Sequence, residues 1–244
     1  MAHLYFTDSS LDPTTTVVEL RGDEAHHAAQ VARLREGEAI EISDGLGWRA
    51  HGVARSVSKS VVEVAVSNPV FDEPRPLTLT LVQALAKGDR DEMAVQASTE
   101  LGVSRVIPWQ AERSISRWAG DKKVKGVSRW QSIAREAAKQ SVRSRVPVIC
   151  DPVATSGLVA ACEGSVVLVL DPRATVGIGE WVRSNSGVTN IALVVGPEGG
   201  ISESEIATLE GQGAAPVRVG SDIMRTSTAG PAAIAALNAL LGQW

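Results

Sequence analysis

The sequence has 244 residues, of which 44% are hydrophobic and 21% charged, and its formal net charge at pH 7 is −4. No apolar run approaches the roughly 20 residues of a membrane helix, and the amino terminus shows no export signal, so we expect a cytoplasmic globular protein without membrane contact. The two cysteines are too few for a disulfide framework or a zinc site, and we expect no metal.

Residues 1–72 are predicted to form a small β-barrel domain. Short β-branched runs at 17–20, 39–42 and 61–66 are separated by Gly and Asp turns, which is typical of strands. One helix is predicted between 24 and 35. The three prolines of 68–76 disfavour both helix and central strand, so this stretch is predicted to be a linker.

Residues 73–244 are predicted to form an α/β domain, a parallel sheet with helices on both faces, because strand and helix patterns alternate along them. The runs at 166–170 and 191–195 are fully apolar, as expected for strands that are covered on both faces. Further strands are predicted at 77–85, 103–109 and 214–219, and helices at 89–101, 127–142, from 202 onward and 228–241.

Two small-residue loops follow predicted strands of this domain. The first is Gly196-Pro197-Glu198-Gly199-Gly200, and the second runs from Gly220 to Gly230. Loops after parallel strands can converge at the carboxyl edge of the sheet, where ligands of open α/β folds bind. Glycine also lets the backbone approach a ligand closely. These loops therefore predict a ligand site.

Several common ligand chemistries lack support in the sequence. No phosphate-binding loop of the Gly-x-x-x-x-Gly-Lys-Ser/Thr type is present, and Gly177-Ile178-Gly179 lacks the third glycine of a dinucleotide fingerprint because Val182 stands there. All four histidines lie within residues 3–51. The α/β domain therefore has no imidazole of its own for a Ser-His-Asp triad or a metal site.

The segment from Arg105 to Arg145 is strongly basic. It holds eleven basic residues against Glu112, Asp121 and Glu136, and Trp109, Trp118 and Trp130 are interleaved. Cations neutralise phosphates and aromatic faces stack on unpaired bases, which favours an RNA-binding surface. A solvated helix face with core tryptophans explains the same pattern, and both interpretations stay open here.

The chain resembles the SPOUT superfamily, specifically the small-subunit ribosomal RNA uridine-N3 methyltransferases. Six blocks in order carry the resemblance. They are His26-His27-x-x-x-Val31-x-x-Leu34-Arg35; Lys87 with Ala97-x-x-Glu100-Leu101-Gly102-Val103; Glu112-Arg113-Ser114; Arg129-Trp130-x-x-Ile133-x-x-Glu136-Ala137-x-x-Gln140-Ser141-x-Arg143 followed by Pro147; Gly196-Pro197-Glu198-Gly199-Gly200; and Arg225-Thr226-x-Thr228-Ala229.

The resemblance implies a PUA-like barrel over 1–72 and a methyltransferase domain with a trefoil knot over 73–244. It also implies a homodimer that transfers methyl groups from S-adenosylmethionine to uridine N3 of 16S ribosomal RNA. The cofactor residues that it implies are Leu170, Asp171, Gly196, Pro197, Glu198, Gly199, Gly200, Val219, Gly220, Ile223, Met224, Thr226, Ser227, Thr228 and Ala229. Two alternatives are a SPOUT enzyme that methylates another RNA position and a non-catalytic RNA-binding factor.

Methyl transfer to N3 requires a deprotonated uracil, so positioning and electrostatics should dominate catalysis. The candidate catalytic residues are Arg225, Arg143 and Glu198. Where the family turn has Glu, this chain has Ser227, which cannot act as a carboxylate base; Ser227 and Thr228 could instead cap the last helix. The candidate RNA-binding residues are His26, Arg33, Arg35, Lys87, Arg113, Arg129, Arg135 and Arg143.

Overall fold

The computed structural model describes residues 3–244. Contacts divide the chain into two compact units. The amino-terminal unit extends to Pro74 and includes Ala138–Val146, and the carboxy-terminal unit comprises Arg75–Ala137 and Pro147–Trp244. The domain boundary after residue 72 stays a prediction. Unlike the predicted domains, which are continuous in sequence, the amino-terminal unit also contains residues 138–146.

The amino-terminal unit is built on a five-stranded sheet with the order β1-β3-β4-β5-β2. Its strand pairs are antiparallel apart from β1 and β3, which are parallel. Two register shifts between β4 and β5 bend the sheet, as β-bulges do. The strands are β1 (Leu4–Phe6), β2 (Val17–Arg21), β3 (Ala39–Ser43), β4 (Trp48–Val57) and β5 (Val61–Phe71).

The helix predicted between 24 and 35 is shorter than expected. Helix α1 spans Gly22–His26 and continues as one π-helical turn over His27–Val31. The turn closes with the Ala32 N–H donating to the His27 carbonyl, and Arg33 then adopts a positive φ of 55°. A left-handed residue cannot continue a right-handed helix, so the helix ends before Arg33.

The segment Ala138–Val146 completes the core of the amino-terminal unit. Ala138 and Val146 pack against Leu4 and Phe6. The Lys139 Nζ lies 3.1 Å from Glu24 Oε1, and both side chains are buried. Lys139 belongs to the basic segment 105–145, but its charge is paired with Glu24 inside the unit.

The carboxy-terminal unit contains a seven-stranded sheet in which every pair is parallel, with the order β12-β10-β11-β6-β7-β8 and with β9 also paired to β7. The strands are β6 (Thr78–Ala84), β7 (Arg105–Gln110), β8 (Val148–Ile149), β9 (Val153–Ala154), β10 (Val166–Leu170), β11 (Asn190–Val195) and β12 (Ala215–Val217). This confirms the predicted α/β class.

Helices cover the sheet on both faces because successive strand residues point to opposite sides. Val82 and Val194 pack with Leu158 and Leu209 on one face, and Leu81 lies beneath Gly230 on the other. The helices are α2 (Arg90–Glu100), α3 (Asp121–Gln140), α4 (Thr155–Ala161), α5 (Ile178–Ser184), α6 (Glu203–Gly211) and α7 (Thr226–Leu240). Within residues 3–244, no helix is both long and apolar enough to cross a bilayer.

Helix α7 returns from the edge of the sheet to its middle. Strand β12 lies at one edge, whereas α7, the next element, packs against β11, β6 and α2. This path is compatible with the trefoil knot that the family resemblance implies.

Candidate functional site

A cavity of about 430 Å³ lies where β10, β11 and β12 end. The last residues of these strands, Leu170, Val195 and Val217, form part of its wall. The two glycine loops form much of the remaining wall. This is the position predicted for them, at the carboxyl edge of the parallel sheet. The volume is in the range of small-molecule sites, roughly 300–1,000 Å³.

The structure brings most of the predicted cofactor residues together in this cavity. The predicted residues that line it are Leu170, Asp171, Gly196, Pro197, Glu198, Gly200, Val219, Gly220, Ile223, Met224, Arg225, Thr226 and Ala229. Gly199, Ser227 and Thr228 are not among the lining residues. The carbonyl of Gly199 instead accepts a 3.0 Å hydrogen bond from Arg113 Nη1.

Sequence reasoning missed seven lining residues. Most of them directly adjoin a predicted residue, so extending each loop by one or two positions would have found them. Arg90 is different because it lies at the start of α2, far from both loops in sequence, and no local signal marks it. The missed residues are Arg90, Pro172, Val195, Ile201, Val217, Arg218 and Asp222.

Glycine is required at position 196 by close packing. A Cβ there would lie 2.6 Å from Ile201 Cγ1 and 3.4 Å from the Ile201 backbone nitrogen. Gly220, with a φ of +130°, occupies a backbone conformation that other residues rarely adopt. Gly196 therefore lets its loop pack closely on Ile201, and Gly220 lets the second loop turn beside the cavity.

A buried relay of hydrogen bonds joins the two loops. Gln83 Nε2 donates to Thr226 Oγ1 at 2.9 Å and to the Ala84 carbonyl at 3.1 Å, and Thr226 Oγ1 donates to the Gly196 carbonyl at 2.7 Å. Gln83 is fully buried in β6, directly beside Val195 of β11. The relay fixes the first residue of α7 against the first glycine of the other loop.

The start of α6 holds the Gly196–Gly200 loop from its far side. Ser202 and Glu205 form a capping box at the helix that was predicted from 202 onward. Glu205 Oε1 also accepts from the Glu112 N–H and from Thr155 Oγ1, each at 2.8 Å. Ser202 Oγ donates to Glu112 Oε2 at 2.7 Å. This network fixes the Glu112 backbone next to Arg113.

Glu198 is an ionised carboxylate held in place by its neighbours. Its Oε1 accepts from Arg90 Nη1 at 2.8 Å and from the Lys87 N–H at 3.1 Å. Burial opposes ionisation, but hydrogen bonds from its own N–H, from Arg90 and from Lys87 lower the pKa of Glu198. The Glu198 carboxylate is therefore a weak proton acceptor.

Asp171 is held in a similar way. Its carboxylate accepts from the Arg173 N–H at 2.9 Å, as in an Asx turn, and from Arg173 Nε and Nη2, both at 3.0 Å. Although burial would raise the pKa of Asp171, these bonds and the Arg173 charge lower it. Asp171 thus lines the cavity and also makes a turn with Arg173.

Two charged side chains of the cavity make no hydrogen bond or ion pair within residues 3–244. They are the guanidinium of Arg225 and the carboxylate of Asp222, and both residues are exposed. The backbone of Arg225 is fixed, since its carbonyl accepts from the Thr228 and Ala229 N–H groups at the start of α7. The cavity therefore presents one cation and one anion whose side chains make no such bond, and Arg218 adds a cation that donates only to the neutral Ala174 carbonyl at 3.1 Å.

The predicted RNA-binding residues are divided between the two units. In the carboxy-terminal unit Lys87, Arg113 and Arg129 are exposed and Arg135 is half-buried. The Arg129 guanidinium is paired with Glu92, with Nη2 and Oε2 at 2.8 Å. In the amino-terminal unit the predicted residues are His26, Arg33 and Arg35, all exposed, and half-buried Arg143, which is not among the cavity residues.

The tryptophans of the basic segment separate into two groups. Trp109 and Trp130 are buried in the core, so for these two the structural interpretation is correct. Trp118 is half-buried and meets Trp130 edge to face, with ring centroids 5.0 Å apart. Of these three indoles, only that of Trp118 can therefore contact a partner.

In the described part of the chain, His, Cys, Asp and Glu form no group of three or more suited to a metal ion.

Comparison with known proteins agrees with this geometry. The family described as RNA methyltransferase domain matches residues 73–238, and the RNA methyltransferase PUA domain matches residues 20–60. The Ribosomal RNA small subunit methyltransferase E of Mycobacterium bovis is 37% identical over 249 residues, which cover 100% of this chain and 94% of that protein.

Two solved structures are also similar over the full chain. The Ribosomal RNA small subunit methyltransferase E of Neisseria gonorrhoeae, bound to S-adenosyl methionine, is 30% identical with a TM-score of 0.88 and 98% coverage of both chains. A methyltransferase of Legionella pneumophila, in complex with the cofactor SAM, is 28% identical with a TM-score of 0.89 and the same coverage. The chain belongs to the RNA methyltransferase family whose curated members include Ribosomal RNA small subunit methyltransferase E.

Proposed function

We propose that the chain transfers a methyl group from S-adenosylmethionine to N3 of a uridine in the 16S RNA of the small ribosomal subunit. The observation that carries the proposal is the cavity at the ends of β10, β11 and β12, where both glycine loops meet. The names of the full-length relatives support a small-subunit RNA substrate, and the two cofactor-bound neighbours support the methyl donor.

The residues of the cavity fit S-adenosylmethionine. Val219, Met224 and Ala229 provide apolar surface suited to adenine. The bare backbone of Gly196 leaves amide and carbonyl groups within reach of polar cofactor atoms. The bound cofactor supplies an electrophilic methyl group on a sulfonium. We place its methionine and ribose portions beside Leu170 and the Gly196–Gly200 loop.

The catalytic task of the chain is to stabilise the uracil anion. Loss of the N3 proton leaves negative charge that spreads to the two uracil carbonyl oxygens. Arg225 is our candidate for stabilising this charge because its guanidinium has no partner within residues 3–244. We retain Arg143 as a proposed RNA contact and give Glu198 the role of positioning Arg90 and the Lys87 backbone.

The proton acceptor is a separate question because Ser227 replaces the family Glu. Glu198 and Asp171 are both bound by arginines, with pKa values below their usual range. Asp222 is the cavity carboxylate that makes no such contact. We propose that Asp222, directly or through a water, accepts the N3 proton.

Isothermal titration calorimetry tests the cofactor proposal. S-adenosylmethionine should bind saturably to the wild-type protein. Gly196→Ala should weaken binding because the added Cβ collides with Ile201, whereas Gly187→Ala is a matched control with open space around its Cβ. Equal affinities for the two variants would contradict the assigned position, and absence of binding to the wild type would contradict the proposed donor.

Transfer of labelled methyl groups to unmodified small ribosomal subunits, followed by mass analysis of the nucleosides, tests the reaction. N3-methyluridine is the expected product. Another methylated nucleoside would indicate a different RNA position, and no product despite cofactor binding would leave an RNA-binding role. Arg225→Ala should lower kcat by about 10²- to 10³-fold with cofactor affinity retained. Full activity of Arg225→Ala would remove it from the mechanism.

We also propose that the active form is a homodimer in the cytoplasm, where ribosomal subunits are found. Sedimentation velocity at micromolar concentration should give the mass of two chains. A species of 25.6 kDa would contradict the dimer.

A further inference from the structure

A second groove lies on the carboxy-terminal unit, on the connection from β7 to α3 and the first turns of α3. Its volume is about 440 Å³. Lys122 and Lys125 stand three residues apart on α3 and therefore share one face of the helix. The lining residues, which we call the 115–125 groove, are Ile115, Ser116, Arg117, Trp118, Lys122 and Lys125.

The indole of Trp118 is held rigidly in this groove. The ring packs edge to face on buried Trp130, and a Cβ on Gly126 would lie 2.5 Å from Trp118 Cε2, so the indole rests directly on the α3 backbone. The backbone N–H of Trp118 also donates to Gln110 Oε1 at 3.0 Å, which fixes the main chain beneath the indole. Neighbouring Ile115 is 69% exposed. The groove thus combines a fixed aromatic ring with exposed apolar surface.

The cations of the groove differ from three other cations of the basic segment because their charges are not paired with a carboxylate. Elsewhere Lys123 pairs with Asp151 at 3.2 Å, Arg129 with Glu92, and Lys139 with Glu24. The side chains of Lys122 and Lys125 make no ion pair or hydrogen bond within residues 3–244. Arg117 donates at 3.0 Å to a neutral acceptor, the Glu112 carbonyl, and keeps its charge.

We propose that the 115–125 groove binds a single-stranded segment of the RNA substrate. Three uncompensated cations face the phosphates, and Trp118 with Ile115 contacts an unpaired base. A duplex offers phosphates but keeps its base faces stacked, so only a single strand uses both parts of the groove. This inference rests on the proposed function for its substrate class and extends it to a surface outside the cavity.

Equilibrium binding of a fluorescent single-stranded RNA of 20 nucleotides, and of the matching duplex, tests the proposal over a series of salt concentrations. Lys122→Ala/Lys125→Ala should lower single-strand affinity about five- to ten-fold and reduce the salt slope by about 1.4, because two phosphate contacts are lost. Lys59→Ala/Arg183→Ala removes the same charge at exposed sites elsewhere and should change both values little.

The apolar part is tested with Ile115→Ala. Trp118→Ala would also remove core contacts to Trp130, whereas Ile115 is exposed and its truncation leaves the fold intact. Single-strand affinity should fall about two- to three-fold, with duplex affinity unchanged. Equal losses of single-strand and duplex affinity in Ile115→Ala would show that Ile115 does not contact an unpaired base and would overturn the single-strand assignment. A double lysine variant that matches its control would overturn the groove altogether.

The outcomes separate this proposal from the proposed function. With methylation of small subunits as the readout, the double lysine variant should show a raised KM for RNA with kcat and cofactor affinity unchanged. A wild-type protein without methyltransferase activity would contradict the proposed function, and the RNA-binding difference between the variants would still decide the groove.

Discussion

Gln83 is the residue that links the two glycine loops, although it does not line the cavity. Its amide donates to Thr226, which donates to the Gly196 carbonyl. Its Oε1 has no hydrogen-bond partner within residues 3–244, so the side chain remains buried despite an unsatisfied atom. A buried oxygen without a hydrogen bond destabilises the fold, and we infer that the two bonds of the Gln83 amide nitrogen offset this cost by fixing the geometry of the loops.

Replacing Gln83 should therefore weaken cofactor binding from outside the site. We expect Gln83→Leu to raise the Kd of S-adenosylmethionine about ten-fold, since one net hydrogen bond contributes about 1 kcal/mol and the loops also lose alignment. Thr226→Val should have a similar effect, and the double variant should be less than additive because the two residues share one relay. Calorimetry measures each affinity.

Ser98→Ala is a suitable control for this cycle. Ser98 is equally buried, in α2, and its hydroxyl has no partner within the described residues. Cofactor affinity should stay at the wild-type value in that variant. Strict additivity of Gln83→Leu and Thr226→Val would show that the two side chains act independently and contradict the relay.

The Asp171–Arg173 pair should make stability depend on acid pH. The pKa of Asp171 is lowered in the folded protein, so the pair stabilises the fold above the unfolded value of about 3.9, and this contribution is lost as the pH falls through the folded pKa. Urea unfolding should show Asp171→Asn less stable than wild type at pH 7, with the difference shrinking below about pH 4.

Arg173→Ala removes the same pair from the other side and should show the same narrowing difference. A difference between wild type and either variant that stays constant from pH 7 to pH 3 would contradict a stabilising charge interaction at Asp171.

At the scale of elements, α7 begins at the cavity and packs against the core of the sheet through a glycine. A Cβ on Gly230 would lie 2.8 Å from Leu81 Cδ1 and 3.3 Å from Val195 Cγ2. Overpacking typically costs about 1–3 kcal/mol, against which alanine gains about 1 kcal/mol in helix propensity. We expect Gly230→Ala to lower the free energy of unfolding by up to about 2 kcal/mol.

Gly211→Ala is the matched helical control, since open space surrounds a Cβ at the end of α6. Its free energy of unfolding should be unchanged or higher. Denaturation in urea compares the two, and equal stability of both variants would show that α7 shifts on the sheet without cost.

The strands of the sheet were predictable because buried parallel strands are continuous apolar runs. Strand β10 has the predicted bounds, and β11 begins one residue earlier than predicted. Helices α4 and α5 were missed, because seven residues contain too few turns to show an apolar stripe. The predicted helix over 24–35 failed where Arg33 enters the left-handed region, which no side-chain pattern marks.

The candidate site was predictable where residues are neighbours in sequence and not where the fold brings them together. Both glycine loops can be recognised from their small, glycine-rich composition. Arg90 and Gln83 precede these loops by more than a hundred positions, and they reach the site because β6 pairs with β11. Strand order is a property of the whole sheet, so local pattern cannot supply it.

At the scale of the whole molecule, all residues that line the cavity belong to the carboxy-terminal unit. Bound ligand should therefore protect that unit selectively. Hydrogen exchange with saturating S-adenosylmethionine should slow in peptides that cover 196–200 and 218–229, since binding reduces local opening. Peptides of β2, β4 and β5 serve as an internal control. Equal protection of those strands would show that the ligand also restrains the amino-terminal unit.

The amino-terminal unit includes Ala138–Val146, which lie far beyond residue 74 in the sequence. Ala138 and Val146 complete the packing around Leu4 and Phe6, and Lys139 brings its charge to Glu24. A fragment that ends at the linker would leave Phe6 poorly covered. During synthesis, Leu4 and Phe6 of β1 can complete their packing only after residue 146 has left the ribosome, by which time β6, β7 and α3 have also been made. The order of the chain thus delays completion of its first domain.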